Sequence, residues 1–130
     1  MKRILFVCKK NSRRSQMAEG FAKQMAGDRA IVASAGLAGS EIDPLTVEVM
    51  AEVGVDISDQ RSQPLSDFSP ENFDVVISLC GCGVNLPPEW QAAEQFEDWN
   101  LEDPEGGDIA TFRTIRDQVR QRVSQLLDAD

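Results

Sequence analysis

The sequence predicts an α/β domain whose parallel sheet is wound on both sides by helices. Short apolar runs at residues 4–7, 31–36 and 73–79 alternate with longer stretches whose apolar residues recur every three or four positions. Strands joined through helices return in the same direction, which makes the sheet parallel and places the helices on its faces. In such sheets ligands sit outside the carboxyl ends of the strands. A chain of 130 residues suffices for one domain, residues 1–130, with a single core.

The elements follow in order. The first run, Ile4-Leu5-Phe6-Val7, ends at Cys8. Met17, Ala18, Phe21, Ala22 and Met25 share one helical face, predicting a helix over about 15–25 whose methionines are core. Residues 31–36 form the second strand. Asp43-Pro44 then reads as a cap and first helical residue, Leu45, Val49 and Val53 as a buried stripe, and Gly54 as the stop. Residues 73–79 are continuously apolar except for Asp74 and Ser78, as in a strand covered on both faces. A short edge strand is expected near Gln95 and Phe96, and Phe112, Ile115, Val119, Val123 and Leu126 mark a C-terminal helix.

The net charge of -9 argues against nucleic acid or an anionic membrane as partner. Its distribution is uneven. Lys2, Arg3, Lys9, Lys10, Arg13 and Arg14 are six of the thirteen Lys and Arg, and no acidic residue precedes Glu19. A solvated basic terminus explains Lys2 and Arg3; the four cations flanking Cys8 suit a small anionic substrate. No apolar stretch approaches the ~18 residues of a membrane span and no signal-peptide pattern opens the chain, so a cytoplasmic protein is expected. Three cysteines then read as catalytic or redox thiols before structural disulfides. Histidine is absent, which removes Cys-His and Ser-His catalysis and most zinc sites.

Cys8 and the segment Lys9-Lys10-Asn11-Ser12-Arg13-Arg14-Ser15 carry the strongest chemical signal. A loop between a buried strand and a helix aims successive N–H groups and the positive helix end at one point, where a tetrahedral oxyanion can sit. The same field should lower the Cys8 thiol below its ordinary value of roughly 8.5 and make it a nucleophile. Arg14 offers a planar fork to two oxyanion oxygens and keeps its charge. Ser15 could donate to the sulfur and cap the helix, and Asn11 suits a left-handed backbone position. An inert buried thiol is the competing reading. No Walker-type Gly-Lys-Ser/Thr is present.

Cys80-Gly81-Cys82-Gly83 follows the third run and occupies the same sheet end as Cys8 if the two strands are neighbours. Zinc is disfavoured by the spacing and the lack of further ligands, whereas a strained, transient disulfide fits it. Asp103-Pro104 could place a general acid over the anion, although it lies in an acidic stretch where a solvated loop is equally expected.

Together, Cys8-x5-Arg14-Ser15, the following Gln16-Met17-Ala18-Glu19-Gly20, and Asp103-Pro104 resemble the low-molecular-weight protein tyrosine phosphatase fold, in particular its arsenate reductase branch. The stretch from Cys80 to Trp90 resembles the glutathione- and glutaredoxin-dependent members. The resemblance implies a three-layer fold with a four-stranded parallel sheet, Cys8 as nucleophile, Arg14 as clamp on the oxyanion and Asp103 as general acid. It implies reduction of arsenate to arsenite through Cys80, Cys82 and glutathione, with glutaredoxin as reducing partner, thioredoxin as the alternative and no tightly bound cofactor. A tyrosine phosphatase and a non-catalytic oxyanion or redox sensor are the other function classes. Two departures stand out: Arg13 occupies the place of a frequent second loop cysteine, and only one residue separates Cys80 from Cys82. Some branch members hold potassium beneath the loop; Asn11, Glu19 and Ser34 match that site, but Gln63 stands where an aspartate is found.

Overall fold

The computed structural model describes residues 2–38, 40–79 and 86–128. Because Ile4, Leu5, Phe6 and Val7 are all apolar, both faces of their strand must be covered, and all four are at most 1% exposed. That strand, β1 (Lys2–Cys8), lies inside a four-stranded sheet with β2 (Ala30–Gly36), β3 (Val75–Ser78) and β4 (Gln95–Asp98) in the order β2-β1-β3-β4. Every neighbouring pair is parallel, as the alternation of strands and helices requires. The register sets Cys8 opposite Gly36 and Val7 opposite Ser78, so these strand ends meet at one edge.

Between the strands run α1 (Arg14–Ala26), α2 (Pro44–Glu52) and the single-turn α3 (Pro88–Gln91), and α4 (Ile109–Asp128) follows β4. On one face, Ile4, Phe6, Val75 and Ile77 pack with Met17 and Phe21 of α1, Val49 and Met50 of α2, and Phe112, Ile115, Val119, Val123 and Leu126 of α4. On the other, Leu5, Val7 and Val76 pack beneath Leu65, Leu86 and Trp90 of α3. The first layer is thick and the second thin. Aligning α4's five apolar residues on one face gives it a continuous buried stripe, as their spacing predicts.

Two elements differ in detail from expectation. The third strand is shorter than residues 73–79, although Asp74 N–H still donates to Arg3 and Leu79 N–H to Val7 beyond the ladder's ends (2.9 Å each). In α2 the buried residues are Thr46, Val49 and Met50, while Leu45 and Val53 are only partly covered. The helix is rotated because Met50 fills the space beside Gly20 of α1, where an added Cβ would stand 3.1 Å from Met50 Cε and 2.7 Å from Ile57 Cγ2. Asp43 caps α2 as expected, accepting the Leu45 N–H at 3.0 Å.

Candidate active site

Cys8 ends β1 and Arg14 begins α1, leaving residues 9–13 to close a loop over the sheet edge. The loop turns its carbonyls outward. Cys8 and Lys9 carbonyls accept from Leu37 and Ala38 N–H (3.0 Å each), Lys10 from Ser62 Oγ (3.0 Å), Asn11 from Gln16 Nε2 (3.1 Å), and Ser12 from Asp43 N–H (3.2 Å) and Thr46 Oγ1 (3.3 Å). With its acceptors engaged outside, the loop is left to present its N–H groups inward, which is the electrostatics of an anion nest. Asn11 makes the turn at φ 54°, the one positive φ outside glycine among the described residues. Its fully buried side chain donates to the Ser34 carbonyl (3.3 Å) and accepts from Ser15 Oγ (2.7 Å). Gly36 lets the loop lie this close, since a Cβ there would come within 2.7 Å of the Lys10 carbonyl carbon and 2.8 Å of Asn11 N.

The loop and the segment after β4 enclose a cavity of about 200 Å³ lined by Cys8, Lys9, Lys10, Ser12, Arg13, Arg14, Asp103 and Glu105. Arg14, 3% exposed, donates from Nη1 to the Leu101 carbonyl (2.7 Å) and holds Nη2 3.5 Å from Asp103 Oδ2. Its Nε is buried without a hydrogen-bond partner among the described residues. A buried donor left so is costly, and an oxyanion oxygen would satisfy it.

The fold built on this loop is shared. A profile of the low molecular weight phosphotyrosine protein phosphatases matches residues 3–129. The chain belongs to that family. Among relatives of this phosphatase-family chain, the glutaredoxin arsenate reductase of Synechocystis sp. is 56% identical over 127 residues, covering 98% of this chain and 97% of that one. The arsenate reductase of Bacillus subtilis is 38% identical over 131 residues, covering 96% and 94%. A solved arsenate reductase in its phosphate-binding state superposes with a TM-score of 0.94 at 55% identity, covering 99% of this chain and 98% of that one.

Within this family fold the structure brings Cys8, Arg14 and Asp103 to one cavity, and it modifies what was expected of Cys8, Ser15, Arg13 and Lys10. Burial pushes the Cys8 thiol up, and Asp103 adds to the rise; Arg14 and the N–H groups of Lys9 and Ser15 pull it down without prevailing. The expected lowering is therefore reversed, because burial prevails at a residue only 4% exposed. Ser15 acts on the sulfur through its backbone N–H; its hydroxyl is given to Asn11 and makes no helix cap. Arg13, expected in the oxyanion loop, keeps its backbone there but turns its side chain to Asp43, Asp103 and Glu105. Lys10 likewise pairs with Glu105, at 3.2 Å.

Burial works to raise the Asp103 carboxyl, but the Glu105 N–H, Arg14 and Arg13 outweigh it and hold the group below its ordinary value. Leu101 and Glu105 were not singled out by sequence. A backbone carbonyl leaves no residue-type signal, and Glu105 is one acid among many in its stretch.

Cys80 and Cys82 lie outside the described residues. The condition attached to them, adjacency of the first and third strands, is met by the pairing of β1 with β3. Oxygens of the potassium set are already engaged within the protein. Glu19 accepts from Ser34 Oγ on one oxygen and pairs with the Lys23 ammonium on the other, and Asn11 Oδ1 is engaged by Ser15. Gln63 accepts the Gly36 N–H through its backbone carbonyl, at 2.8 Å. No cluster of three or more His, Cys, Asp or Glu able to hold a metal occurs among the described residues, and no described helix is long and apolar enough to cross a membrane.

Proposed function

We propose that the chain reduces arsenate to arsenite in the cytoplasm, with electrons from glutathione delivered through glutaredoxin, and so detoxifies arsenic. The observation that carries this reading is the character of the cavity. Its described lining is one thiol, four cations, a hydroxyl and two carboxylates, in about 200 Å³, with no aromatic or aliphatic wall to receive a phenol ring. A small tetrahedral oxyanion matches that lining in size and charge. The likeness to reductases supports the same choice.

Cys8 attacks the arsenic of bound arsenate, forming a sulfur–arsenic bond while one oxygen leaves with a proton from Asp103. Arg14 and the loop N–H groups hold the remaining oxygens. Loss of the Arg14 contact to the incoming anion, together with that anion's charge, raises Asp103 from the low value it has in the free protein, which lets the carboxyl carry a proton. A second thiolate, from Cys82, Cys80 or glutathione, then attacks the Cys8 sulfur. The sulfur–arsenic bond breaks, its electron pair stays on arsenic as arsenite, and Cys8 ends in a disulfide. Exchange among Cys8, Cys80 and Cys82 passes that disulfide on to glutathione and glutaredoxin. Weak hydrolysis of aryl phosphates accompanies the main activity, because the same cradle suits a phosphate oxyanion.

The test is arsenite formation from arsenate with glutathione plus glutaredoxin, run beside thioredoxin with its reductase. Turnover with the first system and little with the second is expected. No arsenite with either, alongside brisk hydrolysis of an aryl phosphate, would return the chain to phosphatase chemistry.

A further inference from the structure

Arg13 is the one loop cation whose side chain is both buried, at 8% exposed, and committed to three carboxylates. Its Nε donates to Asp103 Oδ1 (3.0 Å), its Nη1 to Asp43 Oδ2 (3.2 Å) and Ser12 Oγ (3.4 Å), and its Nη2 to Glu105 Oε2 (3.0 Å). The partners come from two separate parts of the chain. Asp43 is the cap of α2 and is fixed by the Leu45 N–H, whereas Asp103 and Glu105 belong to the segment between β4 and α4. Asp103 Oδ1 also accepts the Glu105 N–H at 3.0 Å, so the two acids form one turn that Arg13 grips from below.

We infer that Arg13 is a positioning residue for Asp103, tying the acid's turn to the cap of α2 so that the carboxyl faces Arg14 and the Cys8 cavity. This rests on the reductase reading of the site. Three carboxylates gathered around one guanidinium repel one another when it is removed, and the turn carrying Asp103 is held to the loop otherwise by Arg14, which the oxyanion recruits, and by the exposed Lys10–Glu105 pair. Arg13 thus keeps the acid in place at the moment Arg14 turns to the substrate. The three contacts leave from three separate nitrogens of one plane, Nε, Nη1 and Nη2, and so span carboxylates that lie apart; an ammonium concentrates its donors on one atom and cannot span them.

The test is a double-mutant cycle on arsenate reduction with Arg13→Met, Asp103→Asn and both together, with Arg13→Lys and Glu105→Gln alongside. If Arg13 acts through Asp103, Arg13→Met lowers kcat about 10- to 100-fold with KM changed less than about threefold, and the double variant is within about twofold of Asp103→Asn alone. Arg13→Lys regains only part of the loss, and Glu105→Gln, which removes one of the three partners of Arg13, gives a smaller loss. Additive losses, or a loss confined to KM, would overturn the assignment. Amide exchange over residues 101–108 is read in the same variants and does not depend on arsenate. It should quicken at least about fivefold there in Arg13→Met, and unchanged exchange overturns the assignment even if the unaltered protein forms no arsenite, the result that would sink only the reductase reading.

Discussion

Arg14 donates from Nη1 to the carbonyl oxygen of Leu101 at 2.7 Å, two residues before the acid Asp103. The side chain expected to clamp the anion is therefore also a strut beneath the acid's segment, and its unpartnered Nε is the donor left over for substrate. Arg14→Lys keeps the charge but loses the planar fork that joins the Leu101 carbonyl to the oxyanion. A fall in kcat/KM of roughly 10²–10³ is expected for arsenate. Retention within about threefold would mean that the loop N–H groups hold the anion unaided.

Cys8 gives an ionisation test. Its thiol is raised by burial, and Asp103 adds to the rise. Alkylation of the Cys8 peptide, followed by mass spectrometry across pH, should show a midpoint above the ordinary ~8.5 in anion-free protein. Asp103→Asn should lower that midpoint, since it removes a neighbouring negative charge. The raised folded value also means that the thiol's contribution to stability is fully present below the unfolded value and is lost as pH rises through the folded one. Cys8→Ser should accordingly flatten the alkaline loss of stability while abolishing reduction. A midpoint well below that of a free thiol would show that the loop's field outweighs burial.

Asp103 is held low by the Glu105 N–H, Arg14 and Arg13 against the effect of burial. The depressed value makes its contribution to stability present above the unfolded value of ~3.9 and lost as pH falls through the folded one; solvent screening keeps it small at a site a third exposed. Catalytically, Asp103→Asn should slow attack roughly 10²–10⁴-fold, because the amide donates no acidic proton. Glu102→Gln, one residue away and exposed, is the control and should leave the rate unchanged. Equal effects would make Asp103 one more residue of an acidic loop.

The sheet was legible because continuous apolar runs leave a strand no alternative to burial on both faces, and α4 because five apolar residues share one helical face. Cys8 and Arg14 were legible because their residue types at that spacing answer specific chemical demands, whereas Asp103 stood out from its acidic stretch only through the family resemblance. What escaped was the pairing among charged side chains. From sequence, Arg13 is one more cation of the oxyanion loop; only the fold shows that it faces Asp43 and Glu105 while Arg14 faces Leu101. The Cys8 ionisation escaped for a related reason, since desolvation depends on how deeply the strand end is buried, and spacing carries no such depth.

Cys80 and Cys82 are expected to act after arsenic has been attacked. Replacing either with serine should stop repeated turnover while sparing hydrolysis of an aryl phosphate, which needs only Cys8, Arg14 and Asp103. A single-turnover burst of arsenite with excess glutathione, surviving in Cys80→Ser but not in Cys82→Ser, would name Cys82 as the first resolving thiol. Equal loss of reduction and hydrolysis in both variants would place these thiols in the first chemical step or in the fold.

The buried carboxylate of Glu19 is 7% exposed and accepts from Ser34 Oγ while pairing with the Lys23 ammonium one turn along α1. The protein thus carries its own cation where a potassium ion would need an anionic ligand, and Gln63 contributes no second carboxylate. Potassium should stabilise the unaltered protein by less than about 1 °C in melting temperature over a bulky organic cation at equal ionic strength, since an ion raises stability only where it binds the native state. Lys23→Met frees one Glu19 oxygen and leaves its charge uncompensated, so this variant should be less stable in the organic cation and regain part of the loss in potassium. Adding Gln63→Asp supplies a second charge and should enlarge the regain. A strong potassium-specific rise in the unaltered protein would mean that Lys23 swings aside for the ion, and a Lys23→Met variant indifferent to both salts would mean that Glu19 needs no cation at all.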